Sequence, residues 1–447
     1  MSLKIGTALA GFLTLPYIYL LGKELRNKWV GIIAFLFAGI AYWPNVISRV
    51  GLRFPLYPLF VAPTLFYLIR GIRQKRKNDF IYCGIALGLG LHGYSSTRFL
   101  PIIVVVAILL FLIHKQSKGI RNQTINAFIP LVIASFIIFL PLFKYALVNP
   151  DMVGYRMMTR LTSTEREITQ PVVEIFLKNL WNAETMFFYS NGGTWVHSIP
   201  NRPALDTIST GLYLLGTMIV LIQYIKKRNW DDIFLLISVP LLMMPSILSI
   251  AFPDENPSLN RTGGAIIPVF IIIAIGLERI LFSLWRVSEM KRYIFLTIII
   301  GLGILFFSAG NNFDLVFNQF DKQFMAGAWN TSQIGSVIKG FSQSTGNLDS
   351  AFVVPSPHWV DTRLVGINAG YPTKDYALWP DQFDQLLMID GEKLIILKPD
   401  NSEALNQLRI MFPNGILYNF DSGYDGKDFY IYHIPPKIFM DDSSIVP

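Results

Sequence analysis

Ten apolar runs, near residues 4–22, 29–47, 55–71, 80–97, 99–114, 126–147, 208–225, 233–251, 264–284 and 293–309, dominate the first two-thirds of the chain. A helix needs about 20 mostly apolar residues to cross a bilayer, and it must satisfy its own backbone where there is no water. Repeated runs of this kind predict an α-helical polytopic membrane protein of about ten spans. Composition agrees: only 15% of residues are charged, against about 25% in a soluble domain.

The net charge of +8 could suggest nucleic acid, but its placement points to membrane orientation instead. Alternate connections carry Lys23, Arg26 and Lys28; Arg70, Arg73, Lys75, Arg76 and Lys77; Lys115, Lys118 and Arg121; Lys226, Lys227 and Arg228; and Arg279, Arg286, Lys291 and Arg292, eighteen in all. The other short connections carry four: Arg49, Arg53, Arg98 and Arg261. Basic loops stay in the cytoplasm, so the four mark the outer face of the cytoplasmic membrane. The connection at 148–207 is too long to count. Both chain ends then lie outside. Met1 enters the first run almost at once, as in a chain lacking its first helix.

Residues 1–309 therefore read as the multi-span domain, and 310–447 as an extracytoplasmic one. The latter alternates helical and strand patterns: "SQIGSVIKGF", "SAFVVP", "KLIILKP", "SEALNQLRIMF", "GILYNF" and "DFYIYHI". They predict a small α/β domain. The single cysteine, Cys83, sits in an apolar run, which excludes a disulfide framework, and no metal-ligand spacing occurs. Neither a metal nor another cofactor is expected.

"SRVGLRFP" holds Arg49 and Arg53 on the side where positive charge is scarce. Cations at an apolar boundary need pairing or solvation. Guanidinium groups match phosphate oxygens in a rigid fork. Arg49, Arg53, Arg98 and Arg261 are thus candidate ligands of a lipid-borne phosphate. Snorkelling to headgroups is the plain alternative.

"LHGYSSTRFLP" adds His92 and Tyr94 as possible cavity-lining groups. "FPDENPSLNRTGG" adds Asp254, Glu255 and Asn256 beside Arg261. These could form an acid–arginine loop pairing, or an acid or amide could contact a sugar hydroxyl. In the long loop, "NPDMVGYRMMTR" reads as an interfacial helix with Arg156 and Arg160 on one side. "FFYSNGGTWVHSIPNRPALD" carries Trp195, His197 and Asp206. Such aromatic and polar neighbours suit sugar stacking or a membrane-interface belt. Inverting sugar transfer needs a base, and residues 1–150 offer only Glu24 and Asp79, both on the cytoplasmic side. The acids left outside are Asp151, Glu165, Glu167, Glu174, Glu184, Asp206, Asp254 and Glu255, with those of the C-terminal domain; Asp254 and Glu255 are the candidate catalytic pair.

The stretch "RVGLRFPLYPLFVAPTLFYLIRGIRQKRKNDFIYCGIALGLGLHGYSSTRFLPI", with "WVHSIPNRPALD" and "ENPSLNRTGGAIIPVF", resembles the GT-C superfamily of membrane glycosyltransferases. The nearest group is the bacterial relatives of protein O-mannosyltransferases and aminoarabinose transferases. The resemblance covers most of residues 5–285. It implies a polyprenyl-phosphate-sugar donor, transfer on the outer face to a lipid, glycan or protein acceptor, and no nucleotide-sugar site. Members of this family carry an acidic motif in a first outer loop; nothing before Lys4 matches it. Two other classes are open: a transporter or flippase of a lipid-linked saccharide, which should show charged span centres and symmetric halves, and a non-catalytic membrane partner of a transferase.

Overall fold

A computed structural model describes residues 2–287, 291–357 and 359–436. Met1, read above as entering the first run almost at once, lies outside them. The chain divides into two compact units, Met1–Gln323 and Phe324–Pro447.

The first unit is helical. Its elements are α1 (Ser2–Leu25), α2 (Lys28–Ile40), α3 (Tyr42–Arg49), α4 (Leu56–Gln74), α5 (Lys77–His92), α6 (Leu100–Ile113), α7 (Arg121–Val148), α8 (Pro150–Leu161), α9 (Val172–Thr185), α10 (Thr207–Lys227), α11 (Trp230–Ile247), α12 (Ile266–Val287) and α13 (Lys291–Asp314). Each apolar run in the sequence is helical over most of its length. By length and composition, seven helices can cross a membrane among the described residues, or eight if the pair α2–α3, bent by 51°, is one span. The runs at 55–71 and 80–97 are α4 and α5, which are not among the seven. α4 carries Arg70 and Arg73 near its end, and α5 stops at His92 after 16 residues. Residues 95–97, read above as the tail of the fourth run, instead start the fifth. There a 3-10 turn, Ser95–Phe99, leads directly into α6.

α12 is the central helix, with Ile266 to Leu277 almost wholly buried. α10 lies against it at very close range. A Cβ on Gly216 would meet the Ile272 carbonyl oxygen at 2.0 Å, and one on Gly276 would meet that of Leu212 at 2.4 Å. Small residues permit such backbone contact where water supplies no driving force between helices.

The break between α2 and α3 removes helical pairing from the Tyr42 amide, and Asn312 replaces it. Its Oδ1 accepts from Tyr42 N at 2.6 Å. Buried polar groups need such partners.

The end of the unit facing the basic connections is closed by ion pairs. Arg26 meets Asp231 and Asp232, Arg70 meets Asp79 at 2.6 Å, and Arg73 meets Glu24.

α14 (Phe320–Gly327) runs across the division, and the second unit continues with α15 (Thr331–Ser344), β1 (Ala351–Val353), α16 (Thr362–Ala369), β2 (Lys393–Leu397), α17 (Ser402–Met411), β3 (Ile416–Phe420) and β4 (Phe429–Ile434). The sheet order is β1-β2-β4-β3, parallel between β1 and β2 and antiparallel elsewhere. All four strands fall on the quoted patterns. Ile334, Ile338 and Val365 of α15 and α16 pack with Val353 and Ile396 on one face. Leu405 and Leu408 of α17 pack with Ile395 and Leu397 on the other. β2 is therefore buried throughout, as in other sheets covered on both faces.

Candidate functional site

The stretch "SRVGLRFP" spans a change of direction. α3 ends at Arg49, and Gly51 takes φ +76°, a region costly for residues with a Cβ. The turn separates the two arginines. The Arg49 guanidinium lies over the Phe317 ring, 4.1 Å from its centroid. Arg53 instead reaches a cavity of about 380 Å³ at the helix ends, which Arg98, Arg160 and Arg261 also line. Tyr94, Ser95, Ser96 and Asn260 supply neutral polar groups. Leu52, Phe54, Phe99, Met157, Leu161 and Leu248 form apolar walls.

Arg53 sits 5.9 Å from the Tyr94 ring centroid, and Arg98 Nη1 donates to the Val153 carbonyl at 2.8 Å. The Arg160 guanidinium carbon lies over the Phe252 ring, 4.0 Å from its centroid, and its Nη1 is 3.0 Å from Glu255 Oε1. Arg261 pairs with the other oxygen of Glu255 and donates to Ser249 Oγ. Partial burial tends to raise the Glu255 carboxyl, but Arg261 and Arg160 outweigh it and hold the group below the usual carboxylate range. Asp254 points elsewhere. It pairs with Arg166 at 2.8 Å, and its side chain is 72% exposed. No acidic residue lines the cavity among the described residues.

Residues 1–145 match the model of the family described as dolichyl-phosphate-mannose-protein mannosyltransferase. ArnT from Cupriavidus metallidurans bound to undecaprenyl phosphate superposes with a TM-score of 0.53 at 13% identity, over 96% of this chain and 83% of that one. Archaeal oligosaccharyltransferase AglB from Archaeoglobus fulgidus, in complex with an inhibitory peptide and a dolichol-phosphate, gives 0.52 at 11% identity, over 96% and 63%. Against the Archaeoglobus fulgidus oligosaccharyltransferase in the apo form, the chain spans about half, 48%, of that protein's length and 78% of its own, at 12% identity and a TM-score of 0.48. No curated protein matches significantly.

The chain has the same fold as these ArnT and AglB structures. At these identities the likeness to the solved structures concerns the fold.

The structure places the remaining candidates in three settings. Tyr94 lines the cavity, edge-on to Phe54 at 5.5 Å. His197 stands behind the wall, perpendicular to Phe54 at 5.4 Å and 4% exposed. Burial, aided by nearby Arg261, pushes its imidazole down to about 4, so it is neutral at pH 7. His92 lies apart, with Nε2 2.8 Å from the Ile138 carbonyl oxygen.

Asn256 and Asp206 are buried and bonded within the protein. Asn256 accepts from Ser246 Oγ at 2.8 Å and donates to the Asn179 carbonyl at 2.9 Å. Asp206 caps α10, accepting from the amides of Ile208 and Ser209. Trp195 is half-buried, and its carbonyl accepts from Gln323 at 3.4 Å.

Arg160 is the lining cation that sequence reasoning placed only on an amphipathic helix. Its four-residue spacing from Arg156 was the available signal; the Arg156 side chain is outside the described residues.

Proposed function

We propose that the protein transfers a sugar from a polyprenyl-phosphate donor to a lipid, glycan or protein acceptor at the outer face of the cytoplasmic membrane, and that Arg53, Arg98, Arg160 and Arg261 hold the donor's phosphate. The observation that carries this reading is the convergence of four guanidinium groups on one apolar-walled cavity at the helix ends. Cations at an apolar boundary need pairing or solvation, which a lipid-borne phosphate would supply. The ArnT and AglB structures, with undecaprenyl phosphate and dolichol-phosphate respectively, support the ligand class.

The chemistry follows from the donor. Breaking the bond between the anomeric carbon and the phosphate oxygen leaves negative charge on the phosphate. Guanidinium donors fixed around it stabilise that charge as it forms. Contacts with Phe252 and Ser249 hold Arg160 and Arg261 in place beforehand. Glu255 and Asp254, the acids nearest Arg261 in sequence, are both engaged in ion pairs. A second reading, lipid-phosphate binding by a non-catalytic partner, is favoured by the lack of a lining acid among the described residues.

The test is retention of undecaprenyl phosphate against undecaprenol by the purified protein in lipid nanodiscs, wild type beside Arg53→Ala. Weakened binding in a folded variant supports the site; equal binding by both proteins sinks it. Release of polyprenyl phosphate from a polyprenyl-phosphate hexose, given an acceptor, separates transfer from binding alone.

A further inference from the structure

We infer that Glu255 is a resident anion, competing with an incoming lipid phosphate for Arg160 and Arg261 and thereby setting the affinity of the cavity. This rests on the reading of the cavity as a lipid-phosphate site.

The two arginines come from separate elements, Arg160 from the last turn of α8 and Arg261 from the loop before α12. A single carboxylate joins them, Oε1 to Arg160 Nη1 at 3.0 Å and Oε2 to Arg261 Nη2. Two oxygens on two guanidinium groups are the contacts a phosphate would make. Each arginine has a further contact. Arg160 lies over Phe252 at 4.0 Å, and the other terminal nitrogen of Arg261 donates to Ser249. Glu255 thus holds one terminal nitrogen of each guanidinium and offsets their charge at the cavity.

Arg53 and Arg98 differ: among the described residues neither pairs with a carboxylate. They are available for first contact, whereas full engagement by Arg160 and Arg261 requires exchange with Glu255. Exchange is feasible because the Glu255 side chain is 36% exposed and can turn to water. The neighbouring Asp254–Arg166 pair meanwhile anchors the short turn Pro253–Glu255.

Removing the competing charge should therefore tighten binding, the reverse of what loss of a structural ion pair would do. We expect Glu255→Gln to raise affinity for undecaprenyl phosphate about tenfold, the value of roughly one charge-assisted contact, with undecaprenol unchanged. Glu255→Asp is one methylene shorter and reaches only one guanidinium, so it should give an intermediate gain. Both are measured in nanodiscs beside Arg53→Ala, with thermal unfolding as the folding control. Equal or weaker affinity in Glu255→Gln overturns the inference. Should that variant not fold, Glu255→Asp at or below wild-type affinity overturns it alone. A gain for inorganic phosphate without one for the lipid overturns the lipid assignment. If wild type does not distinguish undecaprenyl phosphate from undecaprenol, the site reading itself fails. If it does, and Arg53→Ala loses the distinction while Glu255→Gln gains nothing, only the competition fails.

Discussion

Asp206 Oδ2 accepts a hydrogen bond from Asn312 Nδ2 at 2.9 Å, joining the N-terminus of α10 to α13 through two side chains that are almost wholly buried. Ser209 and Ser308 also donate to this carboxylate, and Asn312 carries the connection on to the Tyr42 amide at the bend. Asp206→Ala should cost about 2–4 kcal/mol: it removes a helix cap and leaves buried donors unpaired. Thermal unfolding in detergent measures this. A loss below about 0.5 kcal/mol, the range of ordinary surface changes, would contradict the network's importance.

Arg49 and Arg53 should behave differently despite their spacing. Arg53 lines the cavity, whereas Arg49 covers Phe317. Arg53→Ala is expected to weaken undecaprenyl phosphate binding by about ten- to a hundredfold, the range for a hydrogen bond to a charged group. Arg49→Ala should leave it within about twofold. Equal losses would mean that both arginines reach the phosphate.

Gly51 holds the turn between them at φ +76°. Gly51→Ala should destabilise by about 1 kcal/mol through left-handed backbone strain and should weaken phosphate binding by shifting Arg53. Chemical denaturation and lipid binding are read on the same sample. Unaltered binding would show that the arginine finds its place without the turn.

Gly264 faces the Tyr57 ring, where an added Cβ would lie 2.6 Å from a ring carbon. The same ring is pinned by its hydroxyl, which donates to the Leu242 carbonyl at 2.9 Å. Gly264→Ala should cost about 1–3 kcal/mol by overpacking. Tyr57→Phe in that background should not recover it, because the clash is with the ring itself. Recovery would point instead to the lost hydroxyl contact.

Acid should destabilise the first unit through His197. Its folded value of about 4 lies below the roughly 6.5 of an unfolded histidine. The unfolded chain therefore takes up the proton first. Stability is complete above about pH 6.5 and falls as pH drops toward about 4, by about 3 kcal/mol at most. Glu255 acts in the same direction, since its depressed carboxyl contributes above the unfolded range and loses that contribution once protonated. Unfolding midpoints between pH 7 and 4 should have a shallower slope in His197→Gln than in wild type; identical slopes would remove His197 as the source.

The helical runs and the four strands were legible because each depends on a local pattern: a long apolar stretch, or alternation between turn residues. Scarcity of charge likewise singled out Arg53, Arg98 and Arg261, which the fold brings to one cavity. Segment limits were less legible. The glycine and tyrosine after His92 end α5, and the following 3-10 turn joins the next helix. An apolar count cannot distinguish that arrangement from one longer run.

By itself the sequence determined the helical membrane class, the small sheet domain and the residue types available for binding phosphate, because hydrophobic periodicity and charge scarcity are properties of neighbours along the chain. Only the tertiary structure decided which charges meet. It turned Arg49 away from Arg53 at one glycine, brought Arg160 in from a separate helix, and gave Glu255 to two arginines and Asp206 to a buried cap. Those outcomes depend on side-chain direction and on contacts between residues far apart in sequence, which no local pattern encodes.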